Sequence, residues 1–381
     1  MSELRLHDRL DEIPARAWDG LVAGDHPFLR HAFLSGLEST GCLRPGWGWT
    51  PRHASLWRDG ELLAAAPAYL KTNSHGEFVF DHAWAHAYEQ HGHAYFPKWL
   101  VAVPYTPVTG PRLLARTPEH RQALLEAMTV RAANDGLSSV HVNFAPETEL
   151  GSTGPEWLAR NDIQFHWHRR PGWHTFDDFL ETLERRKRKN IRAERRHVRD
   201  AGVTLRVVHG DEASAEELET LHALYCLSFA SKGNSPALTL GFFRHLAAAM
   251  PRQLVMVLAE RDGELLAGAI CLRDATHLYG RYWGARADIP GLHFEACYYQ
   301  GIEYCLREGL QVFEPGAQGE HKVARGFLPV NTHSRHWVAN RGFRAALAPW
   351  CDEERSHTLR YAAMIERDHN PYRDAPALAS G

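Results

Sequence analysis

One nine-residue block occurs twice in this chain. Residues 58–66 read RDGELLAAA and residues 261–269 read RDGELLAGA. Each block sits between apolar, strand-like runs: His53–Trp57 precedes the first and Leu254–Leu258 the second. Asp-Gly between two such runs predicts a tight β-hairpin, because both turn residues must accept positive φ. The flanks repeat as well. Pro27, Leu29, Phe33 and Leu37 correspond to Pro236, Leu238, Phe242 and Leu246. Upstream, each half has a short strand and then a helix, opening at Pro14 in the first and with the capping box Ser214-x-x-Glu217 in the second. Downstream, a helix leads through a Gly-Leu step into a strand, at Gly136-Leu137 and again at Gly309-Leu310. A repeat of this length means two copies of one structural unit. Each half reads strand, helix, helix, hairpin, strand, helix, strand, a mixed α/β (α+β) order. The expected division is 1–165, 166–373 and a disordered tail, 374–381.

Composition limits what such a protein does. With 44% hydrophobic residues, 12 Trp and 16 Phe there is material for two cores. The net charge of −3 argues against a general affinity for DNA. No apolar run is long enough for a membrane span, and MSELRLHDRLDEIP lacks the pattern of a signal peptide, so a cytoplasmic protein is expected, with peripheral membrane contact left open. The six cysteines are scattered and read as reduced, buried residues. Among 25 histidines, His82, His86, His91 and His93 lie close together, but no HExxH or finger spacing accompanies them. No metal is expected.

Thr175 is placed to cap a long helix, with Asp177 and Asp178 in its first turn and Gly202 at its end. The spacing predicts one helix of about 26 residues, roughly 39 Å long. Between Arg185 and Arg199 it carries nine Arg or Lys. Arg188, Arg192, Arg195 and Arg199 share one stripe, a clamp for phosphates or carboxylates. Leu180, Leu183, Ile191 and Val198 form the apolar side. Glu194 and Lys187 fall on that same side, where a charge is costly unless partnered.

A second candidate is residues 314–329, EPGAQGEHKVARGFLP, directly after an expected strand. Ligands of open α/β sheets gather beyond strand carboxyl ends. Gly316, Gly319 and Gly326 allow close backbone approach. Glu314, Glu320 and His321 are candidate catalytic groups, and Lys322 and Arg325 candidate cations for a substrate or donor. The first half offers a counterpart in His75, Glu77, Asp81 and His82, followed by a proline-stiffened stretch, 104–112.

Six blocks together resemble the Fem-like peptidoglycan biosynthesis or recognition family within the GCN5-related acetyltransferase (GNAT) superfamily: PFLRHAFLSGLE (27–38), GWTPRH (48–53), YLKTNSHGEFVFDHAWA (69–85), AVPYTPVTGPRLL (102–114), RKRKNIRAERR (186–196) and EPGAQGEHKVARGFLP (314–329). The resemblance implies a tandem duplicated GNAT fold and an N-acyltransferase. The expected reaction moves an acyl group from a thioester, acyl-CoA as co-substrate, to an amine of an amino sugar, peptide or amino lipid, with no tightly bound cofactor. The usual Arg/Gln-x-x-Gly-x-Gly/Ala signature for the CoA pyrophosphate is absent; the chain reads YWGARADIPG (282–291) there. Fem-type ligases with the same doubled fold take aminoacyl-tRNA, which makes tRNA the alternative partner. A non-catalytic binding protein that retained the fold is the third expectation.

Overall fold

The computed structural model describes residues 2–151, 153–317 and 319–373. The tail expected at 374–381 lies outside the described residues. The chain forms two compact units: the chain to Asp162 with Asn331–Leu359, and Ile163–Val330 with the chain from Arg360. The second half therefore lends residues 331–359 to the first unit, which a division at a single point near 165 does not provide for.

In the first unit, strands Glu3–His7, His53–Arg58, Glu61–Ala66 and Leu114–Ala115 make an antiparallel sheet in that order. A second group of strands begins at Trp49–Pro51, continues through Ala68–Lys71, Lys98–Val101 and Ser139–Asn143, and ends on the part of Leu328–Val338 paired with Asn143–Ser139. The long helix Pro118–Asn134, N-capped by Thr117, buries Leu124, Leu125 and Met128. These pack with Ala54, Leu56, Trp99, Val101, Val140 and Val142. A helix at His82–Gln90 follows the first hairpin, an element that the expected order of strand, helix, helix, hairpin, strand, helix, strand does not include. It packs Trp84 and Tyr88 with Tyr95 and Cys351.

In the second unit, Thr204–His209, Leu254–Arg261, Glu264–Arg273 and His277–Ala285 run antiparallel. Val312–Glu314 joins parallel to the last of these, and Trp167 and His168 pair antiparallel with it. Helices Ala215–Ala230 and Leu240–Ala249 precede the hairpin, and a continuous helical run over 292–308 follows it, with a π-helical stretch at Glu295–Tyr299. Ser214 and Glu217 form the expected capping box.

The duplication reaches the backbone. Asp59 and Gly60 have φ of 52° and 79°; Asp262 and Gly263 have 56° and 81°. These are the positive values that a two-residue hairpin turn needs. The strand before each turn also carries a register shift at the same place, at Leu56/Trp57 and at Ala259/Glu260. The copies then diverge. Glu264–Arg273 is one continuous strand, whereas its counterpart is interrupted between Ala66 and Ala68, where Pro67 offers no N–H to a ladder.

The basic segment corrects the sequence reading. One helix of about 26 residues was expected; the structure has two, Phe176–Thr182 and Arg185–Asp200. Leu183 between them is extended and bridges Tyr372. Glu184 N–H donates to Pro371 O at 2.9 Å, and Arg373 N–H to Thr182 O at 2.9 Å. Residues 371–373 thus satisfy, by pairing, the backbone groups that a continuous helix would have satisfied itself. No periodicity within 175–202 could have shown this.

Candidate functional site

In the second unit, the loop after Val312–Glu314 folds back through a 3₁₀ turn, Glu320–Arg325. Gly316 and Gly326 have φ of 99° and 94°, a region L-residues rarely adopt. Lys322 is buried, and its Nζ donates to Gly316 O at 2.6 Å. Burial pulls its pKa down to about 8. His321 and Tyr298 Oη share a 2.8 Å hydrogen bond at Nε2. Gly319, with φ of 115°, also holds a conformation that favours glycine.

Arg325 ties this loop to the basic helix. Its guanidinium donates to Glu194 Oε1 at 2.6 Å and to Tyr299 Oη at 3.0 Å, and lies 3.4 Å from the Phe294 ring centroid. Tyr299 Oη donates to the other oxygen of Glu194. Glu194 and Arg325, 131 residues apart in sequence, therefore meet in one ion pair. That pair lines a cleft of about 200 Å³ on the basic helix.

The arginine stripe is engaged elsewhere. Arg188 pairs with Glu181 at 2.5 Å, and the exposed Arg192 lies 3.3 Å from Asp177 and 3.4 Å from Glu181. Arg195 donates to both oxygens of Glu295 at 3.0 and 3.1 Å and to Glu303 at 2.7 Å, and lies over Phe176. Carboxylates from the two neighbouring helices thus occupy three arginines that the spacing alone offers to a ligand.

The two candidate bases differ sharply. Glu320 is exposed, and Tyr361 Oη donates to it. Glu314 is buried, with His166 Nε2 at 3.9 Å. Burial drives the His166 pKa down to about 3, so this imidazole is neutral. Burial also opposes a proton on His277, but its hydrogen bond to Asp274 and the Glu314 charge hold its pKa above the usual value.

In the first unit, Glu77 and Asp81 come together while His75 and His82 do not join them. Lys98 Nζ donates to Glu77 at 2.8 Å and to Asp81 at 2.5 Å, with all three side chains fully buried. Ser74 Oγ also donates to Asp81, as does Tyr95 Oη at 2.5 Å. Burial raises the Glu77 pKa. It also opposes the Asp81 charge, but the Lys98 ion pair and the surrounding hydrogen bonds outweigh it and hold the Asp81 pKa below the usual value. His141 lies 3.8 Å from Asp81 and hydrogen-bonds His336 at 3.0 Å between their Nδ1 atoms. Nearby, Lys71 donates to His75 O at 3.0 Å and sits 3.9 Å from the Trp49 ring centroid; burial lowers its pKa to about 7. His82 is exposed, stacked on Phe80. Sequence reasoning missed Lys98, Tyr95, His141 and His336. The available signal was a charged or polar residue inside an apolar strand run, as in KWLV (98–101) and SVHVN (139–143).

A family model for FemAB-like proteins, described as peptidoglycan biosynthesis/recognition, matches residues 9–374. The chain belongs to the FemAB-like family. Among solved structures it is similar to FemX, at 13% identity and a TM-score of 0.51, covering 91% of this chain and 100% of that one. It is also similar to L-PGS from Bacillus licheniformis, at 11% identity and a TM-score of 0.50, covering 84% and 95%. A tandem GNAT protein from the clavulanic acid biosynthesis pathway aligns at 13% identity over 89% of this chain and 99% of that one, with a TM-score of 0.45. No curated protein sequence matches. This Fem-like chain is a transferase on a duplicated GNAT-type fold. Among the described residues, no helix is long and apolar enough to cross a membrane.

Proposed function

We propose that this protein transfers an acyl group, carried as the aminoacyl ester of a tRNA, to an amine on a peptidoglycan precursor. Membership of the FemAB-like family supports the reaction class. The observation that carries the choice of donor over acyl-CoA is the crowding at Gly291. A CoA pyrophosphate would need free backbone N–H groups at a helix N-terminus. The helical run over 292–308 starts directly after Gly291, and a Cβ there would come within 2.9 Å of Glu194 O, so the basic helix lies against that terminus. Leu292 N–H is already donated to Ile289 O at 3.0 Å.

The acceptor is an alkylammonium until it loses a proton. In this reading buried Glu314 takes that proton. The neutral amine attacks the ester carbonyl, a C–N bond forms and the C–O bond to the ribose breaks. The amine's second proton goes to the departing ribose oxygen. Lys322, whose proton is held less tightly than an ordinary lysine's, assists that oxygen. Glu320, facing solvent, takes no part.

The test offers the purified chain aminoacyl-tRNA and acyl-CoA in parallel, with an amine-bearing cell-wall precursor, and follows the amide product by mass spectrometry. Product from aminoacyl-tRNA alone is expected. Glu314→Gln should lower kcat by two or more orders of magnitude, and Glu320→Gln should leave it within about tenfold. Product from acyl-CoA alone would overturn the choice of donor, and an active Glu314→Gln variant the choice of base.

A further inference from the structure

The cleft on the basic helix has a charge balance that its own residues leave unmet. Arg186, Lys187, Asn190, Glu194 and Arg325 line it with polar groups, and Ile191 and Ala324 add apolar wall. Three cations face one carboxylate. Glu194 is engaged by Arg325 at Oε1 and by Tyr299 at Oε2 rather than by Arg186 or Lys187. Among the described residues, no ion pair within 4.0 Å involves Arg186 or Lys187, in contrast to Arg188, Arg192 and Arg195 on the same helix. Of the nine cations on the helix, Arg188, Arg192 and Arg195 are locked to carboxylates, and Arg186 and Lys187 are the unpaired ones that line the cleft.

We propose that this cleft binds a pair of phosphate negative charges, as a diphosphate or two neighbouring phosphodiesters carry, with Arg186 and Lys187 as its charged ligands and Asn190 as a neutral donor. Two uncompensated positive charges match two negative ones, whereas a single carboxylate would leave one cation unmatched. The apolar wall contributed by Ile191 and Ala324 strengthens that attraction relative to open solvent. At about 200 Å³ the cleft is smaller than a site for a whole drug-sized ligand. It suits one charged group of a larger substrate. Glu194, Arg325 and Tyr299 act as positioning residues: their mutual hydrogen bonds hold the carboxylate away from the ligand cations. The assignment of these phosphate charges to a substrate rests on the transferase reading above, and two substrates could supply them: a nucleotide-linked acceptor, or the RNA of the donor.

The probe is inorganic pyrophosphate, titrated calorimetrically into the full-length protein at low ionic strength, where exposed charges are least screened. The wild type should bind. Arg186→Gln/Lys187→Gln should weaken binding at least tenfold, the scale of lost charge-assisted hydrogen bonds. Lys189→Gln, on the same helix outside the cleft, should bind as wild type does. Absence of wild-type binding overturns the proposal. So does equal binding by the double variant, or an equal loss in Lys189→Gln, which would mean a diffuse ionic atmosphere. Competition by a uridine diphosphate sugar points to the acceptor and competition by an acceptor-stem RNA to the donor; displacement by neither refutes a substrate site. Transfer is assayed separately. Transfer without pyrophosphate binding sinks the cleft and leaves the function standing, and binding without transfer from any donor does the reverse.

Discussion

Replacing Lys98 by methionine removes the one cation that holds two buried carboxylates. Lys98, Glu77 and Asp81 have no exposed side-chain surface, and the lysine contacts the two acids at 2.8 and 2.5 Å. Methionine fills most of the same volume, so the loss is electrostatic rather than a cavity. Breaking a buried pair from one side costs about 3–5 kcal/mol, because the remaining charge is left uncompensated. For a unit of this size each kcal/mol moves Tm by about 2–4 °C, so a fall of about 6–20 °C is expected. Ser74 and Tyr95 still donate to Asp81, which favours the lower part of that range. Glu77, its pKa already raised by burial, is the acid that should take up a proton in the variant. An acid whose folded pKa lies above its unfolded value stabilises below the unfolded pKa and loses that contribution as pH rises through the folded one. The defect should therefore shrink on acidification from neutrality and widen above it. Hydrogen exchange over the strands Lys98–Val101 and Ser139–Asn143 reports on this unit without assuming that the whole chain unfolds in one step. A loss below about 1 kcal/mol would refute the reasoning. So would failure of the triple variant, with Glu77→Gln and Asp81→Asn added, to recover stability.

Lys71 should give the first unit a rising stability at alkaline pH. Its folded pKa is about 7 against an ordinary 10.5, so between those values the unfolded chain binds more protons and stability increases with pH; Lys71→Met should flatten that slope in urea melts at pH 7, 8 and 9, and an unchanged slope would assign it to another group. Gly326→Ala should destabilise the second unit by more than about 1 kcal/mol, since φ is 94° and a Cβ would lie 2.8 Å from the Phe179 ring and 2.9 Å from Tyr372 Oη. An alanine variant with an unchanged melting curve would show that the turn relaxes freely.

The fold was legible where local chemistry and periodicity agree. Asp-Gly turns, the Thr175 and Ser214 caps and the repeat at 58 and 261 each impose a conformation from within a few residues, and each is present in the structure. Legibility stopped where a partner distant in sequence decides the outcome. The helix expected through 175–202 breaks at Leu183 because residues near 372 pair there. The arginine stripe satisfied helical spacing, yet spacing holds no information about Glu295 and Glu303, about a hundred residues onward, which claim Arg195. The same ignorance worked the other way for Arg186, which belongs to no notable stripe, and for Lys187, marked in sequence only as a charge on the apolar side; both take their role from lining the cleft beside Glu194, which Arg325 and Tyr299 already hold. In a segment with nine cations, composition marks where an anion could go. The positions of the protein's own acids determine which cations remain for one, and those acids come from separate parts of the chain.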